Sequence, residues 1–181
     1  VNIAGGFAWE KVQGGSLETW DAQYRMNLRT AVAAIQAALA HLPDGGRIVN
    51  IGANGALKAG AGMGAYAASK AGVMRLTEAL AEELKDRGIT INALLPSIID
   101  TAANRKDMPD ADFSRWVQPA QLAATIAFLL SDGAAFVTGQ ILPVDVRDEV
   151  TTQARVGKGL QRHHHHLRPQ VGAANADVHH V

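Results

Sequence analysis

Two short runs constrain the fold of this chain more than any other feature. Arg47 to Ile51 (RIVNI) and Ile89 to Leu95 (ITINALL) are apolar almost throughout, and both are short enough to be strands. Runs of that kind belong to strands buried on both faces. A third short strand is expected from Gln140 to Val144, after the Thr138-Gly139 turn. Helical patterns alternate with these strands. The longest is Leu17 to Leu42, with Leu28, Val32, Ile35 and Leu39 at helical spacing, Ser16 as its cap and Pro43-Asp44-Gly45-Gly46 as its end. The next runs from about Ala65 to Lys85 and stops at Arg87-Gly88; shorter ones cover Asp112–Trp116 and Pro119–Leu130. Gly52 to Gly64 reads as a loop, as does the segment carrying Asn104, Lys106, Asp107 and Pro109. The alternation predicts an α/β fold built on a parallel sheet covered on both faces. Val1 to Ala8 (VNIAGGFA) reads as the end of one more buried strand and its exit loop, so the chain opens in the middle of an element.

Composition narrows the function classes. Seventeen basic residues balance seventeen acidic ones, which leaves no general attraction for nucleic acid or an anionic membrane. The chain has no cysteine, so no disulfide framework and no thiolate chemistry. No apolar run approaches the roughly 20 residues that span a bilayer. The expectation is a soluble cytoplasmic protein. From Arg147 onward the apolar period is lost, and His163 to His166 are followed by His179 and His180. The expected organisation is a domain over 1–146 and a disordered, histidine-containing tail over 147–181. Imidazoles can hold a transition metal, but no carboxylate pair or cysteine framework accompanies them, so adventitious binding is expected and no functional metal site is assigned.

Chemistry centres on Tyr66 and Lys70. They lie four apart on a predicted helix, so both side chains project from one face. An ammonium held beside a phenol favours the phenolate and is expected to lower its pKa. Tyr66 then suits a general acid for carbonyl reduction or a general base for alcohol oxidation. That spacing alone is common in helices and carries little weight.

The surrounding string, Tyr66-Ala67-Ala68-Ser69-Lys70-Ala71-Gly72 after a Gly-rich loop and a buried strand, resembles the signature of the short-chain dehydrogenase/reductase family. The resemblance runs from Val1 to about Val146. Val1-Asn2-Ile3-Ala4-Gly5-Gly6 is similar to the family's Asn-Asn-Ala-Gly strand end, with Ile3 in place of the second Asn. Met26-Asn27-Leu28 matches the helix Asn of the family, Ile89 to Thr101 the strand and Pro-Gly loop beside the nicotinamide with Ser97 replacing the Gly, and Thr138-Gly139-Gln140 the turn into the last strand.

The resemblance implies a doubly wound, Rossmann-like sheet. It also implies hydride transfer between nicotinamide and a carbonyl or alcohol substrate, with NADP or NAD as cofactor. Tyr66 would transfer the proton, Lys70 would bond the nicotinamide ribose, and Asn27 would support a water chain. Asn2, Ala4 and Gly5 would line the adenosine side, while Pro96, Ile99 and Thr101 would close over the nicotinamide end.

Two departures accompany it. The family's catalytic serine, thirteen residues before the tyrosine, is Ala53 here, so one orienting hydrogen bond is missing. Dihydropteridine reductases in the family work without that serine. Asn54 beside it is either a substitute polar group or a loop residue, and Met63 is a further candidate substrate contact. The second departure is the family's opening strand, Gly-rich turn and helix N-terminus, which cradle the pyrophosphate. They have no counterpart here, which predicts a partial sheet lacking the first βαβ units and leaves cofactor preference unread. A homo-oligomer through the Leu17–Leu42 and Ala65–Lys85 helices is implied by the family's habit. A non-catalytic folding or oligomerisation module is the alternative reading.

Overall fold

A computed structural model describes residues 1–145. The histidine-containing segment discussed above lies outside the described residues. Three parallel strands form one sheet in the order β1 (Arg47–Ile51), β2 (Thr90–Pro96), β3 (Ile141–Val144). Arg47 faces Thr90 in the first pairing, and Ala93 faces Ile141 in the second. β2 is central, and all of its residues are buried.

Side chains alternate across the sheet as strand geometry requires. Ile48 and Ile91 point to one face, where they meet Ile35, Leu80, Ala81, Leu84 and Ile89. Ala93 and Leu95 join Met74 on that face. Val49 and Leu94 point to the other face and pack on Val117, Leu122, Leu129 and Ala134. The first face is covered by α2 (Thr30–Leu39) and α3 (Gly64–Glu83), the second by α5 (Pro119–Leu129). The doubly covered parallel sheet expected from the apolar runs is present.

Each long strand nevertheless contains a fully buried asparagine, and each asparagine is satisfied. Asn92 donates to Val137 O (2.8 Å) and accepts from Gln140 N (3.0 Å), which fixes the Thr138-Gly139 turn against β2. Asn50 donates to Thr77 Oγ1 on α3 (2.9 Å) and accepts from Asn2 Nδ2 (2.7 Å). Buried amides of this kind are tolerated because their partners are in place.

Four expectations need correction. Val1 to Ala8 is not a buried strand: it touches β1 through a single bridge, Asn2 to Asn50, and Val1 and Ile3 are exposed. Only one side of the segment has a strand to pair with among the described residues. The long first helix is not uniform either; α1 (Leu17–Gln23) passes through a π-helical stretch, Tyr24–Arg29, before α2. Ser16 occupies the cap position with extended backbone, but its side chain makes no cap bond. Its hydroxyl lowers the pKa of the Glu18 carboxyl instead. Finally, Ala102–Asp107 is a helix, α4, not a loop: the Thr101 hydroxyl accepts from Asn104 N at 3.2 Å and caps it.

Candidate active site

The functional candidates gather at the carboxyl ends of the parallel strands, where open α/β sheets bind ligands. The segment after the Asn2 bridge, the end of β1 at Ile51, and the loop after β2 converge there. α3 crosses behind β1, and its Tyr66 and Lys70 face that edge.

Lys70 is 5% exposed, and its Nζ donates to Ile51 O at 2.9 Å. One of its three N–H donors is used in this way; no other partner exists among the described residues. Burial pulls the Lys70 pKa down. Tyr66 is half-buried, its ring lies edge to face with Phe7 at 4.9 Å, and its hydroxyl has no hydrogen-bond partner among the described residues. Burial pushes its pKa up. The expectation that Lys70 lowers the Tyr66 pKa is therefore overturned. The ammonium is turned to a backbone carbonyl, and the phenol loses hydration without gaining a cation.

Asn27 is almost wholly buried in the π-helical stretch. Its Oδ1 accepts from Gly6 N (2.9 Å), and its Nδ2 lies within reach of Gly6 O (3.0 Å), Ser69 Oγ (2.9 Å) and Gln23 Oε1 (3.2 Å). Ser69 Oγ in turn donates to Tyr66 O at 2.7 Å. Asn27 thus clips the Gly5-Gly6 strap to α3. π-turns inside α-helices recur at functional sites, and here the wider turn accompanies an inward polar side chain. Gly5 permits the close approach: a Cβ there would stand 2.7 Å from Asn27 Oδ1 and 3.0 Å from Lys70 Nζ.

The remaining candidates divide. Asn2 is tied to Asn50, while Ala4 is exposed. Ala53 is buried at the end of β1, and Asn54 donates to Asp145 Oδ2 at 3.1 Å. Met63 stands at the N-terminus of α3, and its terminal methyl group would touch a Cβ on Gly55 at 3.0 Å. Pro96 ends β2. Ile99 packs into the α5-side core and bridges to Val117, and Thr101 caps α4. Ser97 Oγ is buried with no partner among the described residues. Trp116, buried in ring contact with Phe113 at 4.8 Å, is a packing anchor.

Sequence reasoning missed three features here. The Phe7 contact and the Ser69 link join residues far apart in the chain. The third is a carboxylate clamp on the loop after β2. Asp100 takes Arg105 Nε at 2.6 Å and Nη2 at 2.8 Å, and Gln118 Nε2 at 3.1 Å. Its pKa falls to about 2, chiefly through the Arg105 bond and then the Gln118 bond. The spacing of Asp100 and Arg105 across the Thr101 cap was the available signal.

No group of three or more potential metal ligands exists among the described residues, and none of their helices is long and apolar enough to cross a membrane.

Comparison with known proteins places this geometry. A family model described as "Enoyl-(Acyl carrier protein) reductase" matches residues 1–146. The chain is 38% identical over 133 residues to a cyclic-di-GMP-binding biofilm dispersal mediator protein of Escherichia coli, covering 69% of this chain and 56% of that protein. It is 38% identical over 138 residues to a 3-oxoacyl-[acyl-carrier-protein] reductase of Synechocystis, covering 71% and 56%. Among solved structures it superimposes on a blue fluorescent protein from a metagenomic library in complex with NADPH, with a TM-score of 0.73, 37% identity, and 80% of this chain and 62% of that one covered. A short-chain dehydrogenase/reductase from Serratia marcescens gives the same TM-score of 0.73 at 31% identity and the same coverage of 80% and 62%. The chain spans 56% of the length of both curated relatives. Its sheet, its Tyr66–Lys70 helix and these likenesses agree: the chain belongs to the short-chain dehydrogenase/reductase family.

Proposed function

We propose that this chain carries the nicotinamide and substrate side of an NAD(P)H-dependent oxidoreductase acting on a small carbonyl or alcohol, with Tyr66 as its acid/base. The observation that carries the reading is the state of two side chains one helical turn apart on α3. The Tyr66 hydroxyl is unpartnered, and Lys70 keeps two free N–H groups beside the strand end. The buried Lys70 ammonium, with donors to spare, calls for a further acceptor. A ribose diol suits Lys70, and a substrate oxygen suits Tyr66. The buried, unpaired Ser97 hydroxyl fits a further polar contact at the nicotinamide end. The NADPH-bound relative supports the same cofactor class.

The cofactor, NADP or NAD, would supply the hydride. This chain's residues do the rest. Lys70, buried and anchored on Ile51 O, holds the ribose. Asn27 holds Gly6 and Ser69, and through them sets the strap and the helix that carries Tyr66. Tyr66, its phenol kept protonated by burial, gives a proton to the carbonyl oxygen in reduction and takes it back in oxidation. Asn2, Ala4 and Gly5 line the adenosine side; Pro96, Ile99 and Thr101 border the nicotinamide. Ala53 and Met63 flank the substrate. With Asn54 engaged by Asp145, the orienting bond normally given by a serine falls to Tyr66 alone.

The proposal includes a cytoplasmic location, supported by balanced charge and the lack of cysteine. It also includes a homo-oligomer through α1–α2 and α3, supported by the exposed Leu17, Tyr24 and Met26.

Titration of the purified chain with NADPH and NADH, following cofactor fluorescence, tests the reading. Saturable binding is expected, weakened at least about tenfold in Lys70→Ala, since hydrogen bonds to a charged donor are worth about 1.5–3 kcal/mol. Tyr66→Phe is expected to bind normally and to lose turnover by about 100-fold or more. A folded sample that binds neither cofactor at millimolar concentration sinks the enzyme reading and leaves a folding or oligomerisation module.

A further inference from the structure

The strap from Gly6 to Glu10 carries two large aromatic side chains on a pinned backbone. Gly6 is held at its N–H and its carbonyl by the Asn27 amide, at 2.9 and 3.0 Å. The far end is held by Glu10 N to Gly62 O at 2.8 Å and by the Trp9 indole Nε1 to Ala61 O at 2.9 Å. Gly62 has φ +77°, and a Cβ there would collide with the Trp9 ring, so the indole lies against bare backbone. Despite this support, Phe7 and Trp9 are each 58% exposed. Leaving a large apolar side chain in water forfeits about 1.5–3 kcal/mol of burial. Exposed apolar side chains scattered singly need no explanation; what singles out Phe7 is its contact with Tyr66.

Position gives Phe7 its meaning. Its ring meets the ring of Tyr66 at 4.9 Å with an interplanar angle of 81°. It therefore stands next to the phenol that handles the substrate oxygen. Phe7 has no polar atom, and the single donor of Trp9 is spent on Ala61. Phe7 offers only π surface, and planar rings prefer such partners in offset or edge-to-face contact.

We infer that Phe7 is a specificity-determining residue, selecting carbonyl substrates whose reacting carbon is joined to a planar aromatic or conjugated ring. The ring packs on Phe7 while the carbonyl oxygen reaches Tyr66. The assignment rests on the oxidoreductase reading above and narrows its substrate class.

The test compares acetophenone with 2-octanone as probes, in the wild-type chain, Phe7→Ala and Phe7→Trp. KM and kcat are read with NADPH, and ketone binding to the NADP-loaded protein is read by calorimetry. Phe7→Ala is expected to weaken acetophenone in KM and Kd by about tenfold, to leave 2-octanone within about twofold, and to change kcat little. Phe7→Trp is expected to restore the aromatic preference. Equal losses for both ketones, or a fall in kcat alone, would mean that Phe7 only positions Tyr66, and the inference fails. Unchanged values in Phe7→Ala also overturn it, as does a wild type that binds NADP but prefers 2-octanone. Burial of Phe7 under a second copy, seen as protection that depends on protein concentration, does the same. Failure to bind cofactor overturns the functional reading itself and is seen in the preceding titration.

Discussion

At Tyr66 a small set of atoms decides the pH behaviour. The phenol is partly desolvated, and Lys70, one helical turn away, spends its bond on Ile51 O. Its pKa is accordingly raised, with burial as the cause. A raised phenol pKa keeps the proton on through neutral pH and beyond the ordinary tyrosine value of about 10. Alcohol oxidation needs the phenolate, so its kcat/KM is expected to climb with pH and to level off above about pH 10. Carbonyl reduction needs the phenol and is expected to stay flat through neutrality, then fall over the same range. The stability term has the matching sign: a folded-state pKa above the unfolded one gives stability that is complete below the unfolded value and is lost as pH rises through the folded value. A pH–rate profile with its inflection near 7 would contradict this. It would mean that Lys70 leaves Ile51 O for the phenol in the working complex.

At the scale of elements, the loop after β2 is held by one carboxylate. Asp100 joins the last turn of α4 through Arg105 and the approach to α5 through Gln118, and its own N–H reaches Val117 O at 2.9 Å. Its side chain is 9% exposed. With a folded pKa of about 2, below the ordinary carboxylate value, the clamp is complete above about pH 4 and is lost as pH falls toward 2. Asp100→Asn is expected to remove that acid-sensitive step in a thermal melt series between pH 5 and 2, and to raise the KM for the cofactor at neutral pH. An identical acid profile in the variant would show that the clamp carries no weight. This element also marks where the sequence stopped being readable. Strands such as Arg47–Ile51 and the helix bearing Tyr66 and Lys70 were legible because burial repeats at the period of the element. α4 has six residues, too short to show a period, and exists through Thr101 and the Asp100–Arg105 pair. The Tyr66–Lys70 pairing was legible as spacing, but the direction of the phenol pKa was not, since it depends on where Nζ ends up. The Phe7 contact and the Ser69–Asn27 link are tertiary, and no local pattern announces them.

The whole molecule presents one further problem, which is what covers its outer helices. α3 uses one side for the sheet and for Lys70. Its other side, at Ala65, Ala68 and Ser69, lines a groove of about 260 Å³ with Trp20, Tyr24 and Leu28 from the helix before it. Leu17 is 79% exposed and Met26 45% exposed on that same helix. Small residues on one helix and large apolar ones on its neighbour suit a self-complementary contact, in which each copy offers its ridge to the other's groove. The contact would lie on the back of α3, next to the Ser69 hydroxyl that bonds Tyr66 O. Assembly would then stiffen the helix that carries Tyr66, the proposed acid/base. Sedimentation of the wild-type chain at tens of micromolar is expected to give a dimer or larger species. The double substitution Leu17→Arg and Tyr24→Arg places charge in the contact and is expected to give a monomer with an unchanged circular dichroism spectrum. If assembly supports the helix, that monomer also binds cofactor normally but turns over more slowly. A wild-type monomer at that concentration removes the interface. A monomeric variant with full turnover keeps the interface and detaches it from catalysis.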